Sequence, residues 1–185
     1  MKIAITGGIG SGKSYVCRLL KQRGIDIYDC DAGAKRLMHS SADLQERLTA
    51  LIGADTYVEG KLNKAVVAQF LLASEENKQA INRIVHPAVI CDFYASGMNW
   101  MECAILYDAH LEDTVDKVVC VAAPEDVRVS RIMKRDSISE EKAAEWIQTQ
   151  IGQDEITRRA DYVIINDGKR DLEEQLDVLL DSLKE

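Results

Sequence analysis

The residues best suited to chemistry stand near the start of the sequence, in a glycine-rich segment followed by a lysine and a serine. Gly7, Gly12, Lys13 and Ser14 satisfy the pattern G-x-x-x-x-G-K-[ST]. In such a loop, glycines let backbone N–H groups turn inward around a phosphate, the lysine reaches the β- and γ-phosphates, and the serine hydroxyl binds Mg²⁺. The pattern predicts a nucleotide phosphate-binding loop (P-loop); the alternative is a glycine-rich turn without a ligand.

Two aspartates form a second candidate site at the end of the next apolar run, Asp26–Asp29. The carboxyl ends of strands in an open parallel sheet face the binding crevice. A carboxylate of Asp29 or Asp31 is therefore placed to accept a proton from an attacking hydroxyl or to hold Mg²⁺. The alternative is that both are solvated loop acids, with Asp31 capping the helix that follows.

Three arginines, Arg128, Arg131 and Arg135, are spaced i, i+3, i+7 in a helix that we expect to start at Pro124. This spacing places them on one face. Kinases need positive charge over the transferring phosphoryl group, and this face is suited to supply it. The alternative is a solvated basic face paired with neighbouring acids.

Asp108 ends the third apolar run, Glu102–Tyr107, so we expect it to act on Mg²⁺ through water; the alternative is a strand-end cap. His86-Pro87 predicts a junction at which one helix ends and another begins. On spacing alone, a structural role for His86 is the simpler interpretation.

Asn166 and Gly168 follow the last apolar run. Nucleoside kinases often hold adenine through backbone and amide contacts at this place. A plain turn is the alternative.

These candidates need a parallel sheet to bring them together. Five short runs are apolar on consecutive positions, as strands buried on both faces are, and helical patterns separate them. The runs are Lys2–Thr6, Asp26–Asp29, Glu102–Tyr107, Lys117–Ala122 and Asp161–Ile165. This alternation predicts an α/β fold with a parallel sheet. The helical patterns within residues 37–98 predict a helical insertion between its strands.

Composition narrows the function classes. The 185 residues carry 23 basic and 31 acidic side chains, a net charge of −8, which argues against binding nucleic acid by bulk charge. Residues 1–36 nevertheless hold seven Lys/Arg and three Asp, a local balance of +4 that suits an anion site.

No stretch is apolar enough for a signal peptide or membrane span. Five cysteines without a C-x-x-C predict thiols in a reducing cytoplasm.

Taken together, the motifs resemble the dephospho-CoA kinase family. The resemblance rests on ordered blocks between residues 3 and 168. They are Thr6–Ser14, Gly24-Ile25, Tyr28–Asp31, Val85-His86-Pro87, Arg131-x-x-x-Arg135-Asp136 and Ala160–Gly168. A P-loop is common to many families, whereas the ordered set is specific.

The resemblance implies ATP-dependent phosphorylation of the 3′-hydroxyl of dephospho-CoA, with Mg²⁺, as the last step of coenzyme A synthesis. It also implies a three-layer P-loop NTPase fold with a five-stranded parallel sheet, an inserted helical substrate domain and a lid. The expected domains are a nucleotide-binding core of residues 1–36, 99–130 and 151–185, a substrate domain of residues 37–98 and a lid of residues 131–150.

Site residues follow from the motifs and the resemblance together. The expected ATP contacts are Gly8, Ile9, Gly10, Ser11, Gly12, Lys13, Ser14, Tyr15, Asn166 and Gly168. The expected catalytic residues are Lys13, Asp31, Arg131 and Arg135, with Asp31 as the base. The expected substrate contacts are Asp29, Asp31 and His86, and the expected Mg²⁺ contacts are Ser14 and Asp108.

The sequence departs from the family pattern at Tyr15, Asp108, Trp146 and Ile156, where threonine, glutamate, arginine and lysine are more usual. Three rival functions remain: a shikimate-type kinase, a P-loop switch protein and an inactive ATP-binding adaptor. The sequence has no Gly-Gly-Gly run, which a shikimate-type kinase would need, and no N-K-x-D, which a guanine-binding switch protein would need. Retention of Lys13 and Asp31 argues against the third.

Overall fold

A computed structural model describes residues 1–184 and is built around a parallel sheet. Its strands are β1 (Ile3–Thr6), β2 (Ile27–Asp29), β3 (Tyr57–Val58), β4 (Lys61–Leu62), β5 (Trp100–Glu102), β6 (Lys117–Ala122) and β7 (Tyr162–Ile165). Five of these form one sheet in the order β2-β5-β1-β6-β7, while β3 and β4 form a small antiparallel hairpin. The predicted α/β fold with a five-stranded parallel sheet is confirmed.

Helices fill most of the chain between the strands. They are α1 (Lys13–Gln22), α2 (Cys30–Ser40), α3 (Ala42–Ile52), α4 (Lys64–Ala73), α5 (Glu75–Ala95), α6 (Glu125–Asp136), α7 (Glu140–Gln148), α8 (Gln153–Arg159) and α9 (Leu172–Ser182). Two short 3₁₀ helices, Ala54–Thr56 and Glu112–Thr114, complete the described elements.

Strand register brings the candidate residues to one edge of the sheet. β1 pairs in parallel with β5 and β6, and β6 pairs in parallel with β7. The carboxyl ends of these strands therefore open on the same side. The P-loop follows β1, Glu102 closes β5 opposite Ile5, and Asn166 follows β7.

The main core lies between the sheet and helices α1 and α9. β1 is buried at all four positions, as its uninterrupted apolar sequence predicts for a strand covered on both faces. The α1 side chains Val16, Leu19 and Leu20 pack into the same cluster. The P-loop is thereby held between a buried strand and a buried helix face.

Four of the five predicted strands match the structure to within one residue at their starts, but the third does not. The expected strand Glu102–Tyr107 is wrong, because β5 spans Trp100–Glu102. Beyond Cys103, whose N–H donates to the Ile5 carbonyl, backbone hydrogen bonds become local. Leu106 and Tyr107 are buried although they lie in this turn rather than in a strand.

The chain divides into two compact units, one of residues 1–27 and 98–185 and the other Tyr28–Gly97. The second unit consists of α2–α5, the β3–β4 hairpin and the end of β2. It begins before the predicted insertion at residue 37. The substrate and lid roles assigned to these segments stay predictions.

The predicted helix junction at His86-Pro87 is wrong. α5 runs without interruption from Glu75 to Ala95 with Pro87 inside it. Proline removes one helical hydrogen bond and is normally excluded from helix interiors. Here Ile81, Val85, Val89 and Phe93 bury one face of α5 on both sides of the proline, and this packing outweighs the local preference.

Within residues 1–184, no helix combines the length and hydropathy that crossing a membrane requires.

Candidate active site

The P-loop connects β1 to α1 through a turn that depends on Gly12. Ser11 N–H donates to the Gly8 carbonyl at 3.2 Å, and α1 begins directly after Gly12. Gly12 has a φ of 92°, and a Cβ there would lie 2.1 Å from Asn166 Nδ2, so only glycine fits. The first turn of α1 carries the positive end of the helix dipole, which makes this end of α1 suited to an anion.

Lys13 carries its charge back across the loop. Its Nζ donates to the Gly7 carbonyl at 2.6 Å and to the Gly8 carbonyl at 3.3 Å. The ammonium therefore lies beside the loop backbone rather than in bulk solvent. This is the position from which the motif predicts contact with the phosphates.

Ser14 and Glu102 bring two oxygen groups together at the mouth of the loop. Ser14 Oγ donates to Glu102 Oε1 at 3.1 Å. Glu102 is the last residue of β5, so an acid does stand at the end of the strand beside β1. Sequence analysis missed it because the predicted strand, Glu102–Tyr107, starts two residues later than β5 and makes Glu102 its first residue rather than its last.

Asp108 does not lie at a strand end. It is exposed, six residues beyond the end of β5, in the turn that contains Leu106 and Tyr107. The strand-end reason for choosing it as the metal-site acid is therefore wrong, and Glu102 occupies that position.

Cys17 lies one helical turn beyond Lys13 and contacts Glu102. Burial, together with the charge and hydrogen bond of Glu102, raises the pKa of the Cys17 thiol. The thiol is therefore neutral at physiological pH, as expected for a buried cysteine with a packing role. None of the five cysteines is in a disulfide within the part of the chain that the structure describes.

Arg131 joins the P-loop to the residue after β7. Its Nη1 donates to the carbonyls of Gly10 and Ser11 at 3.3 and 3.2 Å. Its Nη2 donates to the backbone and side-chain oxygens of Asn166 at 3.0 and 3.2 Å. Asn166 in turn donates from Nδ2 to the Ser11 carbonyl at 2.8 Å. The structure thus brings together Arg131, Asn166 and the P-loop, three separate sequence predictions.

The other two arginines of α6 have different surroundings. Arg128 is only 4% exposed, and its Nε donates to the Ile9 carbonyl at 2.9 Å. Burial lowers the pKa of its guanidinium. Arg135 is exposed and pairs with Asp136 at 2.7 Å. A solvated basic face is therefore wrong for Arg128, which is buried on the loop, whereas the predicted phosphate contact of exposed Arg135 stays a prediction.

Gly168 and Tyr15 lie at the border of this site. Gly168 has a φ of 79° in a turn where Asp167 Oδ1 accepts from the N–H groups of Lys169 and Arg170, each at 2.9 Å. Those two backbone hydrogen bonds lower the pKa of Asp167. The Tyr15 ring is exposed, with the Arg18 guanidinium 5.1 Å from its centroid. Their predicted contacts with ATP stay predictions.

Asp29, Asp31 and His86 belong to the Tyr28–Gly97 unit. Asp29 caps α2, its carboxylate accepting from Ala32 N–H at 2.9 Å, so the N-cap is Asp29 and not Asp31. Asp31 is exposed in the first turn of α2. His86 lies inside α5, where burial lowers its pKa and keeps the ring neutral at physiological pH.

One contact of the P-loop has no sequence signal. Gln150, just beyond α7, accepts a hydrogen bond from Ile9 N–H through Oε1 at 2.7 Å. Ile9 was expected to contact ATP, and in the structure its backbone N–H donates to a side chain 141 residues away. Only tertiary structure reveals such a pairing.

A P-loop after a central parallel strand, an acid at the end of the neighbouring strand and arginines over the loop define a P-loop kinase. Comparison with known proteins agrees: the family model for dephospho-CoA kinase matches residues 1–171. The chain belongs to the dephospho-CoA kinase family.

Individual relatives support this membership. A Bacteroides fragilis dephospho-CoA kinase is 38% identical over 183 residues, covering 95% of this chain and 89% of the relative. A Thermus thermophilus crystal structure is 32% identical, with a TM-score of 0.81 over 99% of this chain and 97% of that one. A dephospho-CoA kinase from Campylobacter jejuni, at 18% identity and a TM-score of 0.66, matches in fold over 100% and 96% of the two chains.

Proposed function

We propose that the protein transfers the γ-phosphoryl group of ATP to the 3′-hydroxyl of dephospho-CoA, giving coenzyme A and ADP. The observation that carries the proposal is the P-loop with Lys13 folded over it and Arg131 bridging it to Asn166, in a chain of the dephospho-CoA kinase family. ATP is the donor because the family is one of kinases and the P-loop is suited to its phosphates.

Phosphate binding falls to the P-loop backbone and two cations. The N-terminal turn of α1 contributes the positive end of the helix dipole, and Lys13 adds a full positive charge beside Gly7 and Gly8. Arg131 adds a second charge against Gly10 and Ser11. Preorganised charges of this kind stabilise a phosphoryl group more in the transition state than in the ground state.

The residues at the loop mouth fit Mg²⁺. Ser14 Oγ and Glu102 Oε1 are hard oxygen donors 3.1 Å apart, and Mg²⁺ is usually held by one or two carboxylates together with substrate phosphates. Residues 1–184 hold no cluster of three or more His, Cys, Asp or Glu suited to a metal, so phosphate oxygens would complete the set. Held by Ser14 and Glu102, Mg²⁺ would supply positive charge that neutralises the phosphates of the bound nucleotide.

Proton transfer is assigned to Asp31. Its carboxylate would accept the proton of the 3′-hydroxyl as the new O–P bond forms and the bond from the γ-phosphorus to ADP breaks. Asp29 is engaged as the cap of α2, which leaves Asp31 as the acid of the pair without a capping role. We assign Arg135 to the phosphates of the closed complex, and Asp29 and His86 to the substrate side.

The segment roles complete the proposal. Residues 37–98 would hold dephospho-CoA, and residues 131–150 would act as the lid. The α6–α7 side of the P-loop has a small apolar cluster of its own, with Ile132, Ala143 and Ile147 buried together. Ile9 of the P-loop packs against the same cluster, so the proposed lid contacts the loop directly.

The experiment offers ATP and Mg²⁺ with dephospho-CoA, shikimate or water and follows ADP release. We expect turnover with dephospho-CoA only, at roughly 1–100 s⁻¹ as for other kinases. Turnover with shikimate would favour the shikimate-type kinase. ADP release with water alone would favour a switch protein, and binding of ATP without any turnover would favour an inactive adaptor.

A further inference from the structure

The tip of the P-loop is held from outside by residues that no part of the reaction described above uses. Ile9 is the residue concerned. Its N–H donates to Gln150 Oε1 at 2.7 Å, and its carbonyl accepts from Arg128 Nε at 2.9 Å. Its side chain packs against the buried cluster of Ile132, Ala143 and Ile147. All three groups of Ile9 are therefore held by the segment Arg128–Gln150.

Gln150 and Lys13 act on opposite ends of one peptide plane. The planar unit between Gly8 and Ile9 contains both the Gly8 carbonyl and the Ile9 N–H. Gln150 holds the N–H, while Lys13 Nζ and Ser11 N–H contact the carbonyl at 3.3 and 3.2 Å. Rotation of this plane would move an acceptor of the Lys13 ammonium. By fixing this peptide plane, the Gln150 amide therefore also helps to fix the position of the Lys13 ammonium.

Arg128 fixes the next plane. The Ile9 carbonyl that it binds shares a peptide unit with the Gly10 N–H. The guanidinium is 4% exposed and packs so closely on the loop that a Cβ at Gly8 would lie 2.4 Å from its Nη2. A buried, planar group of this kind has little freedom. Two consecutive peptide planes of the P-loop are thus set by side chains outside it.

We propose that Gln150 is a positioning residue that holds the P-loop, and through it Lys13, in the conformation that binds ATP phosphates, with Arg128 holding the adjoining peptide. The inference rests on the proposed function, because it concerns the same ATP site. It predicts a specific kinetic signature. Loss of the Gln150 contact raises KM for ATP and lowers kcat, while KM for dephospho-CoA stays as in the parent. Partial unfolding, in contrast, would lower apparent kcat and leave both KM values unchanged.

The test compares Gln150→Met, which keeps the length but replaces the amide oxygen with a weakly accepting thioether, with Gln148→Met on the exposed side of α7. Amide hydrogen exchange at Ile9 reports the contact directly. We expect exchange at Ile9 to quicken at least tenfold and the Kd and KM for ATP to rise about tenfold in Gln150→Met, as for loss of one hydrogen bond in an electrostatic site. Gln148→Met keeps the parent values.

Gln150→Glu supplies a second variant should Gln150→Met fold poorly. It retains an acceptor at the same reach, so protection of the Ile9 amide is retained. Parent-like ATP affinity in Gln150→Met, or an unprotected Ile9 amide in the parent and Gln150→Glu, overturns the proposal. Absence of ATP binding by the parent contradicts the proposed function itself. The two failures are therefore distinguishable.

Discussion

At the scale of single residues, Lys13 supplies the charge on which phosphate transfer most depends. Its Nζ lies 2.6 Å from the Gly7 carbonyl. We expect Lys13→Ala to lower kcat by roughly 10²–10³, the usual loss for one preorganised electrostatic contact. Steady-state kinetics and a thermal melt would measure the effect. Lys21→Ala, on the exposed side of the same helix, is the control and should behave as the parent. Parent-like turnover of Lys13→Ala contradicts the P-loop assignment.

Asp31 differs from Asp29 in what its carboxylate is free to do. Asp31→Asn keeps the side-chain size but cannot accept a proton. We therefore expect kcat to fall by roughly 10²–10⁴ with near-parental ATP affinity. The measurement is steady-state kinetics with ATP affinity determined separately by calorimetry. A loss of ATP affinity with kcat retained would instead assign Asp31 to the metal site.

The matched variant is Asp29→Asn. Asparagine caps helices about as well as aspartate, so the bond to Ala32 N–H, 2.9 Å in the parent, has a replacement. We expect a smaller loss of kcat than in Asp31→Asn and an unchanged melting temperature. If Asp29→Asn loses more activity than Asp31→Asn, the two aspartates have each other's roles.

Arg131 combines two contacts that a lysine cannot make together. Its two terminal nitrogens reach the P-loop carbonyls and Asn166 from one planar group. We expect Arg131→Lys to raise KM for ATP about 10–100-fold, since hydrogen bonds to charged groups are stronger than neutral ones. Titration of ATP in the kinase assay checks this. Lys134→Ala, an exposed neighbour on α6, serves as the control, and equal KM values in the two variants would refute the bridge.

At the scale of elements, local sequence predicted strands and helices well where one pattern dominates. β6 has the predicted bounds Lys117–Ala122 because the β-branched Val118, Val119 and Val121 dominate this run. β5 was misplaced because Leu106 and Tyr107 are as apolar as strand residues but lie, buried, in a turn. Pro87 predicted a break in α5 that tertiary packing suppresses. Such outcomes depend on partners distant in sequence.

Helix α2 contains a glycine, Gly33, that is explained by a tertiary contact rather than by local sequence. A Cβ at Gly33 would lie 2.2 Å from Tyr28 Oη. Helix propensity alone favours alanine by about 1 kcal/mol, but overpacking costs about 1–3 kcal/mol. We expect Gly33→Ala to lower the free energy of unfolding by up to about 2 kcal/mol in urea titrations, the overpacking cost less the gain in helix propensity.

Gly152→Ala is the control for that substitution. Nothing lies within 4 Å of a Cβ at Gly152, so its stability should stay within about 0.5 kcal/mol of the parent. Equal stabilities of Gly33→Ala and Gly152→Ala would show that the Tyr28 side chain yields without cost.

At the scale of the whole molecule, the sequence predicted the residues that contact the ligand better than it predicted the side chains that hold those residues in place. Lys13, Ser14 and the loop glycines have a fixed motif, and Arg131 and Asn166 have recognisable neighbours. Gln150 has neither, since its role comes from an amide 141 residues earlier. A motif encodes groups that meet the ligand, whereas the side chains that hold those groups are set by packing.

Charge follows the same division. The molecule carries a net charge of −8, although residues 1–36, which contain the P-loop, balance at +4. A negative overall charge disfavours binding nucleic acid by bulk charge. A local positive field suits capture of a polyanion such as ATP. Function in this molecule therefore depends on where charge is placed rather than on its sum.

Direct identification of the product formed from ATP, Mg²⁺ and dephospho-CoA tests the proposed activity most directly. We expect ³¹P nuclear magnetic resonance to show one new phosphomonoester on the 3′-carbon of the ribose for each ADP released, and Lys13→Ala to form it at a rate lower by roughly 10²–10³. ADP release without a 3′-phosphomonoester, or no reaction in a folded protein that binds ATP, would contradict the assignment of this chain as a dephospho-CoA-phosphorylating enzyme.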